Sequence, residues 1–304
     1  MTRDTSGLHL RPRLLANGYT SDEVQRARRA GRLVAVRRGA YLRPDDERLA
    51  DAEAAHALLV AATVPRLAGD AVVSHRSAAV LHGLPVWKID LRQVHVTRAG
   101  CPRGRIGARV HRHTAPLGPD EVVELDGIPV TSAARTVVDL ARSVGFEQGV
   151  VTTDAALRFR LVDGRALDAA LRRAAGMSGC PAARRIAAFS DGGAESVGES
   201  RSRVALDRFG LPAPILQWKV ESAGRVIAVS DFGWPELRTV GEFDGRINYE
   251  ASRPGRTAGE VVFAEKVRED AVRDEDLGVV RWIWDDLDAF AQVAARLRRT
   301  FRPR

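Results

Sequence analysis

The sequence contains only two cysteines and three lysines among its 304 residues. Cys101 and Cys180 are too few for a disulfide framework, and they do not form a zinc site by themselves. No apolar run approaches the ~20 residues that cross a bilayer, and the amino terminus lacks the apolar segment of a signal peptide. These absences predict a cytoplasmic protein with no membrane partner.

The charges that are present are mostly positive. The formal net charge is +8 and the sequence pI is about 10.3, with 28% charged and 45% hydrophobic residues. This balance favours a polyanionic partner, and the length allows two or three domains. Because nearly all the basic residues are arginines, a bias that a GC-rich genome also produces, their positions are more informative than their total.

A basic stretch near the amino terminus has the pattern of a winged helix over residues 8–45. The sequence predicts a short helix, a turn at 17–20, a second helix from Ser21 and an alternating segment over 33–42. Residues 11–43 hold nine arginines against two acidic residues, namely Arg11, Arg13, Arg26, Arg28, Arg29, Arg32, Arg37, Arg38 and Arg43.

A winged helix bound to double-stranded DNA places a helix in the major groove and its wing against phosphates. We therefore expect Arg26, Arg28 and Arg29 to face the groove, and Arg37 and Arg38 to contact the phosphate backbone. The alternative is a small arginine-rich α+β cap whose charges only solvate its surface.

Three segments resemble the AbiEi-type antitoxins of type IV toxin–antitoxin systems. They are Leu15-Ala-Asn-Gly-Tyr-Thr with the wing sequence up to Tyr41, Ser74-His-Arg-Ser-Ala-Ala-Val-Leu-His-Gly-Leu-Pro, and Ile128-Pro-Val-Thr-Ser-Ala-Ala-Arg-Thr-Val-Val-Asp-Leu. Together they span most of residues 8–145. The resemblance implies a winged helix that represses its own operon and a nucleotidyltransferase-type toxin as partner.

Residues 46–190 are predicted to form a mixed α/β region. An alanine-rich helix over 49–64 precedes strands between residues 91 and 113. Residues 85–113 hold seven basic residues against Asp90. These charges form either a second phosphate-contacting face or a solvated sheet edge that resists aggregation.

Five histidines of this region raise the question of a metal or acid–base site: His75, His82, His95, His111 and His113. The last two share one face of a predicted strand, but no cysteine or carboxylate accompanies them at ligand spacing. We therefore expect these histidines to lie at the surface or to cap helices.

Four helices are predicted to follow, over residues 131–144, 147–160, 164–175 and 181–188. The glycine-containing segment 190–194 is the best linker in the chain. We therefore place the main domain boundary there, with a last domain over residues 191–304.

The last domain carries three carboxylates in a distinctive order. Strands predicted over 226–232 and 238–244 form a hairpin, which sets Asp231 opposite Glu242, and the preceding helix carries Glu199. Like charges that face one another on a sheet are destabilising. A hard divalent cation, Mg²⁺ or Mn²⁺, is the simplest compensation, so these three side chains are the predicted metal ligands.

This order resembles the core of PD-(D/E)XK nucleases, in the branch similar to very-short-patch repair endonucleases. The motifs are Asp231-Phe-Gly-Trp-Pro-Glu, Gly241-Glu-Phe-Asp-Gly, Glu265-Lys-Val-Arg-Glu-Asp and Val279-Val-Arg-Trp-Ile-Trp-Asp-Asp-Leu. The resemblance covers the last third of the chain. It implies a restriction-endonuclease-like α/β domain in which bound metal activates water against a phosphodiester.

The resemblance assigns catalytic roles to Glu199, Asp231, Glu242, Asp244 and Lys266. It also contains a departure, because the nuclease pattern expects lysine two residues after the second acid, where this chain has Asp244. Lys266, on the following predicted helix, is the candidate replacement.

Three functions remain open at this point. The chain is a DNA-binding regulator with a nuclease-fold domain, a metal-dependent endonuclease delivered to DNA by its winged helix, or a non-enzymatic antitoxin. The predicted fold class is α+β in each case.

Overall fold

The computed structural model describes residues 6–67, 69–100, 104–245 and 274–302. The chain divides into two compact units, Met1–Phe189 and Ser190–Arg304. In the described residues they contain helices and three sheets of antiparallel and mixed strands, which confirms the predicted α+β class. None of the described helices is long and apolar enough to cross a membrane.

The first unit opens with two short helices and a three-stranded sheet. These elements are β1 (His9–Leu10), α1 (Arg11–Ala16), α2 (Ser21–Arg29), β2 (Val34–Arg37) and β3 (Ala40–Leu42). The three strands form an antiparallel sheet in the order β1-β3-β2. Thr20 fixes the start of α2, because its Oγ1 accepts a hydrogen bond from the Glu23 N–H at 3.2 Å while Glu23 accepts one from the Thr20 N–H at 2.7 Å.

The rest of the first unit is a six-stranded mixed sheet with helices. Its elements are α3 (Ala52–Thr63), β4 (Val72–Val73), α4 (His75–Leu81), β5 (Val94–Arg98), β6 (Arg105–Ile106), β7 (Val110–Thr114), β8 (Val122–Leu125), β9 (Ile128–Thr131), α5 (Ala133–Ala141), α6 (Phe146–Arg158), α7 (Gly164–Arg173) and α8 (Cys180–Phe189). The strand order is β6-β7-β5-β4-β9-β8, with β5 parallel to β7 and β4 parallel to β9. The predicted helices α5 to α8 are confirmed, whereas the hairpin β8–β9 was not predicted.

Strand β5 is buried on both of its faces. Val94 and Val96 pack in an apolar core with residues of α3, α4, β4 and β9. His95 and Thr97 alternate with these valines and therefore point to the opposite side of the sheet. They are buried as well, with 3% and 0% of their surface exposed, so this side of the strand forms a polar interior.

The second unit is built on a four-stranded sheet. Its elements are α9 (Val197–Arg208), β10 (Ile215–Ser222), β11 (Arg225–Trp234), β12 (Thr239–Asp244), β13 (Gly278–Ile283), α10 (Trp284–Asp288) and α11 (Ala291–Thr300). The order is β10-β11-β12-β13, antiparallel except for the parallel pair β12–β13. The hairpin predicted between residues 226 and 244 is thus confirmed, and β10 joins it as a strand that the sequence analysis did not identify.

Aromatic residues fill the core of the second unit. Phe232 stacks on Trp282 with ring centroids 5.1 Å apart, and the indole N–H of Trp282 donates to Ser202 Oγ of α9 at 2.8 Å. Helix α9 approaches the sheet closely at Gly198, where a Cβ would overlap the ring of Phe243. This close approach brings the first turn of α9, with Glu199, against β12.

Candidate nucleic-acid interface and carboxylate cluster

Helix α2 carries several exposed arginines, and little of the helix is buried. Val24 is its one buried residue, and Arg26, Arg28 and Arg29 are all exposed in its last two turns. The Arg28 guanidinium lies 5.9 Å from the Tyr41 ring centroid and donates to Gln25 Oε1 at 3.3 Å. The arginine side chains of this helix are therefore accessible to solvent.

The other two predicted DNA contacts lie at the end of the β2–β3 hairpin. Arg38 is exposed at the turn, which Gly39 closes with a φ of +84°. Arg37 is half-buried, and its Nε and Nη1 atoms are inaccessible to solvent and have no hydrogen-bond acceptor among the described residues. Unsatisfied buried donors are uncommon and costly, the more so on a charged group.

Two more arginines surround this guanidinium. Burial lowers the pKa of Arg37, and the positive charges of Arg66 and Arg109 lower it further. Arg66 reaches the hairpin turn itself, since its Nη1 lies 3.5 Å from the position of a Cβ on Gly39. The wing, the end of α3 and the segment before β7 thus place three guanidinium groups in one electropositive region.

The basic stretch over residues 85–113 is partly neutralised. Arg92 pairs with Asp90 at 2.7 Å, and Arg98 pairs with Asp70 at 2.8 Å. The hydrogen bonds from Arg92 lower the pKa of Asp90 to about 2. Arg109, by contrast, contributes to the cluster at the wing.

In the second unit, Asp231 and Glu242 occupy adjoining strands. The register pairs Phe232 with Gly241, so the next pair outward along the hairpin would be Asp231 and Glu242, as predicted. Here the Asp231 carboxylate bonds to backbone, because its Oδ2 accepts from the Phe243 N–H at 2.8 Å.

Glu242 has a different partner. It lies opposite Arg281 in the parallel pair β12–β13, and its Oε2 is 2.8 Å from Arg281 Nη2. Only 7% of Glu242 is exposed. Glu242 therefore forms an ion pair with Arg281, which the sequence analysis did not predict.

Glu199 is buried in the first turn of α9, with 6% of its surface exposed. Its carboxylate accepts three hydrogen bonds, from Ser196 Oγ at 2.9 Å, the Glu195 N–H at 2.8 Å and Gln217 Nε2 at 3.0 Å. Burial raises the pKa of Glu199, and although the hydrogen bonds oppose this shift, the negative charge of Asp231 adds to it. The two predicted ligands thus lie within electrostatic range of each other.

The remaining members of the predicted site are less informative. Asp244 is half-buried at the end of β12, and Lys266 lies outside the described residues. Within the described ranges, the one group of three or more His, Cys, Asp or Glu side chains with ligand atoms within 4.8 Å of one another is His75, His95 and His113. Glu199, Asp231 and Glu242 do not converge to that degree.

The expectation that the histidines lie at the surface or cap helices was wrong for His95 of β5, and His75, although it begins α4, is buried as well. His75 and His95 are buried, with 6% and 3% of their surface exposed. Burial lowers the pKa of His95 to about 2 and that of His113 to about 3. The sequence shows that His111 and His113 alternate along one strand. It does not show that β5 pairs in parallel with β7, and this pairing brings the two residues to His95.

Comparison with known proteins finds relatives in Mycobacterium tuberculosis. The uncharacterized proteins MT2308 and Rv2248 are each 30% identical to the chain over 179 residues, 59% of this chain, and the chain spans 64% of each relative's length. The crystal structure of RV2827C protein from Mycobacterium tuberculosis is similar with a TM-score of 0.38 and 13% identity, over 72% of this chain and 85% of that one. No protein-family profile matches the chain.

Proposed function

We propose that the chain is a DNA-binding transcriptional regulator of the AbiEi antitoxin type. Residues 8–45 bind double-stranded DNA, and residues 191–304 form a nuclease-fold domain. The protein acts in the cytoplasm, where its DNA is, and its protein partner is a nucleotidyltransferase-type toxin. An adjacent gene for such an enzyme would support the partner, and its absence would argue against it.

The observation that carries the proposal is the guanidinium of Arg37. Its buried Nε and Nη1 donors have no acceptor in the described part of the chain, and the charges that lower its pKa further are those of Arg66 and Arg109. A fold gains nothing from bringing like charges together without an acid. A DNA phosphate at this region supplies the missing negative charge, and arginine binds phosphate through charge-assisted hydrogen bonds.

The placement of the other arginines supports the same partner. In a winged helix the helix before the wing lies in the major groove, and α2 is that helix here. With Arg37 and Arg38 on the backbone, Arg26, Arg28 and Arg29 are available for the groove. Phosphate contacts set the position of the protein, while contacts to base edges set its sequence preference.

The experiment compares Arg37→Met with wild type in a fluorescence-anisotropy titration of duplex DNA at several salt concentrations. Methionine keeps the apolar stem but removes the charge, so the variant should fold at least as stably as wild type and bind DNA more weakly. Losing one phosphate contact should make the slope of log K against log salt shallower by about 0.9. Arg38→Ala should act in the same direction.

Arg165→Met is the matched control, since Arg165 is an exposed residue of α7 in the same unit. It removes the same charge and should leave the salt slope unchanged. If Arg37→Met and Arg165→Met weaken DNA binding equally, the net charge of the protein and not the β2–β3 turn is responsible for binding. If neither the Arg37 nor the Arg38 variant changes affinity or slope, the proposed interface is incorrect.

A divalent-metal-dependent DNA endonuclease is the second candidate. It is favoured by the position of Glu199 and Asp231, which lie within electrostatic range of each other, with Asp231 on the inner strand β11 of a mixed sheet. The test is cleavage of duplex DNA with Mg²⁺ or Mn²⁺ beside a Glu242→Gln control. Activity that the Glu242 variant loses would support it, and activity that the variant retains would indicate a contaminant.

A further inference from the structure

Imidazole rings gather in the first unit where three elements meet. His95 lies on β5 opposite His111 of the parallel strand β7, and His113 lies two residues further along β7, on the same face. His75 reaches them from the start of α4. These positions are separated by up to 38 residues in sequence, so the fold and not local sequence brings them together.

The rings are packed tightly against one another. His75 stacks on His113 with centroids 3.6 Å apart, and His111 also stacks on His113, with centroids 4.1 Å apart. His95 Nδ1 lies 2.9 Å from His113 Nε2. One nitrogen from each of His75, His95 and His113 lies within 4.8 Å of the other two.

This spacing is close to that of a metal's ligands. Zinc binds histidine nitrogen at about 2.0–2.1 Å with tetrahedral geometry, so two such nitrogens are about 3.3 Å apart. His95 and His113 are already within a few tenths of an ångström of that separation. At present they share a hydrogen bond, so metal binding requires the donating ring to move its proton to its other nitrogen. It also requires the His75 ring, which stacks on His113, to turn so that its nitrogen faces the ion.

The backbone and the neighbouring hydroxyls hold His75 toward the cluster. His75 has a φ of +51°, a left-handed conformation that costs free energy for a residue other than glycine. Its Nδ1 lies 3.0 Å from Ser74 Oγ, which in turn accepts a hydrogen bond from Thr97 Oγ1 at 2.8 Å. An Nδ1–H donated to Ser74 leaves the Nε2 lone pair for a metal, the outer-shell arrangement typical of histidine ligands.

The cluster also opens to a cavity. A space of about 550 Å³ is lined by His75, His111, His113, Arg135, Asp139 and Arg142. Three protein ligands and an accessible fourth position are the arrangement of catalytic zinc sites, whereas structural sites are closed by four protein ligands. Because the three imidazoles contribute no charge, a bound dication keeps its full positive charge, and an anion such as hydroxide or phosphate suits the fourth position.

We propose that His75, His95 and His113 form a binding site for a first-row transition-metal dication such as Zn²⁺, with its open coordination position facing this cavity. Imidazole nitrogen suits zinc, nickel and copper, while Mg²⁺ and Ca²⁺ require oxygen. The site is therefore separate in ligand and in location from the carboxylates of the second unit. It is also independent of the proposed DNA-binding role.

The experiment titrates the full chain, without a polyhistidine tag, with Zn²⁺ by calorimetry and with Co²⁺ by visible absorption. Wild type should bind one ion of each per chain, and the Co²⁺ spectrum should have the intense d–d bands of tetrahedral nitrogen ligation. Mg²⁺ should not compete. His95→Gln and His113→Gln should each weaken Zn²⁺ binding by more than about 100-fold, because even outer-shell changes at such sites cost 10–100-fold.

His9→Gln is the control, since His9 lies on β1 outside the cluster, and it should bind Zn²⁺ like wild type. His113 is less buried than His95, so its variant keeps the test valid if His95→Gln does not fold. The absence of stoichiometric Zn²⁺ and Co²⁺ binding by wild type would overturn the proposal. So would binding that survives both cluster substitutions, or binding that is lost in the His9 variant.

Discussion

The carboxyl group of Glu199 provides a test of whether the acids of the second unit stabilise or destabilise the fold. Replacing Glu199 with glutamine retains the shape of the side chain and removes its charge. The amide oxygen can accept from the Glu195 N–H and Gln217 Nε2, and the amide nitrogen can donate to Ser196 Oγ, because a hydroxyl both donates and accepts. All three hydrogen bonds therefore have a counterpart in the variant.

Replacement by alanine removes all three hydrogen bonds and leaves their donors in a buried turn. At about 0.5–1.5 kcal/mol for each bond, Glu199→Ala should lower the free energy of unfolding by roughly 2–4 kcal/mol. Glu199→Gln should cost less than about 1 kcal/mol at pH 7 by the same reasoning, or should stabilise the protein. The difference between the two variants separates the role of the hydrogen bonds from the role of the charge.

The pH dependence has a definite sign. Burial raises the pKa of Glu199 above its ordinary value of 4.5, so the folded state holds this proton more tightly than the unfolded state. The contribution of the protonated group to stability is complete below the unfolded pKa and is lost as the pH rises through the folded pKa. The stability of Glu199→Gln relative to wild type should therefore increase as the pH rises above about 4.5 and then level off.

The assay is urea denaturation of wild type, Glu199→Gln and Glu199→Ala at a series of pH values, with chelator present and with far-ultraviolet circular dichroism as the signal. If Glu199→Gln is as destabilised as Glu199→Ala at pH 7, the negative charge itself is required and the reasoning is refuted. A relative stability that falls as the pH rises would refute it equally.

Two further predictions concern the neighbouring charges of each unit. If Asp231, Glu242 and Glu199 bind a divalent cation, Mg²⁺ or Mn²⁺ at ten times its Kd should stabilise wild type by about 1.4 kcal/mol. In thermal melts the cation should raise the melting temperature of wild type and leave that of Asp231→Asn unchanged. An equal rise in the melting temperature of both proteins would place the cation elsewhere. In the first unit, Arg135 is buried between Glu121 at 3.1 Å and Asp139 at 2.7 Å, so Arg135→Met should lower the free energy of unfolding by about 3–5 kcal/mol. Arg173→Met breaks an exposed pair with Asp120 and should cost less than about 1 kcal/mol, so equal effects in urea denaturation would contradict the role of burial.

Local chemistry made the elements of residues 8–45 predictable. The start of α2 follows from Thr20 and Glu23, and the turn of the wing from Gly39, whose positive φ suits glycine. In the second unit, alternation and the Trp234-Pro-Glu turn were enough to predict the hairpin and the register that sets Asp231 near Glu242. Each of these signals lies within about 20 residues of chain.

Contacts between distant segments could not be predicted in this way. Arg66 and Arg109 meet Arg37 only because α3 and the segment before β7 lie beside the wing. The partner of Glu242, Arg281, depends on the parallel pairing of β12 with β13 across more than 30 residues. No periodicity in a single sequence specifies which strands pair in parallel, so the sequence predicted separate surface or helix-capping histidines and not a cluster.

The aromatic core of the second unit makes intrinsic fluorescence selective for that unit. Four of the five tryptophans of the chain, at positions 218, 234, 282 and 284, lie in Ser190–Arg304, and Trp87 alone lies in Met1–Phe189. Trp282 and Trp234 are buried, with 1% and 4% of their surface exposed, so their emission shifts to longer wavelength when this sheet opens to water. A denaturation curve recorded by emission wavelength therefore follows the sheet of the second unit, while residues 8–45, which contain no tryptophan, do not contribute to the signal.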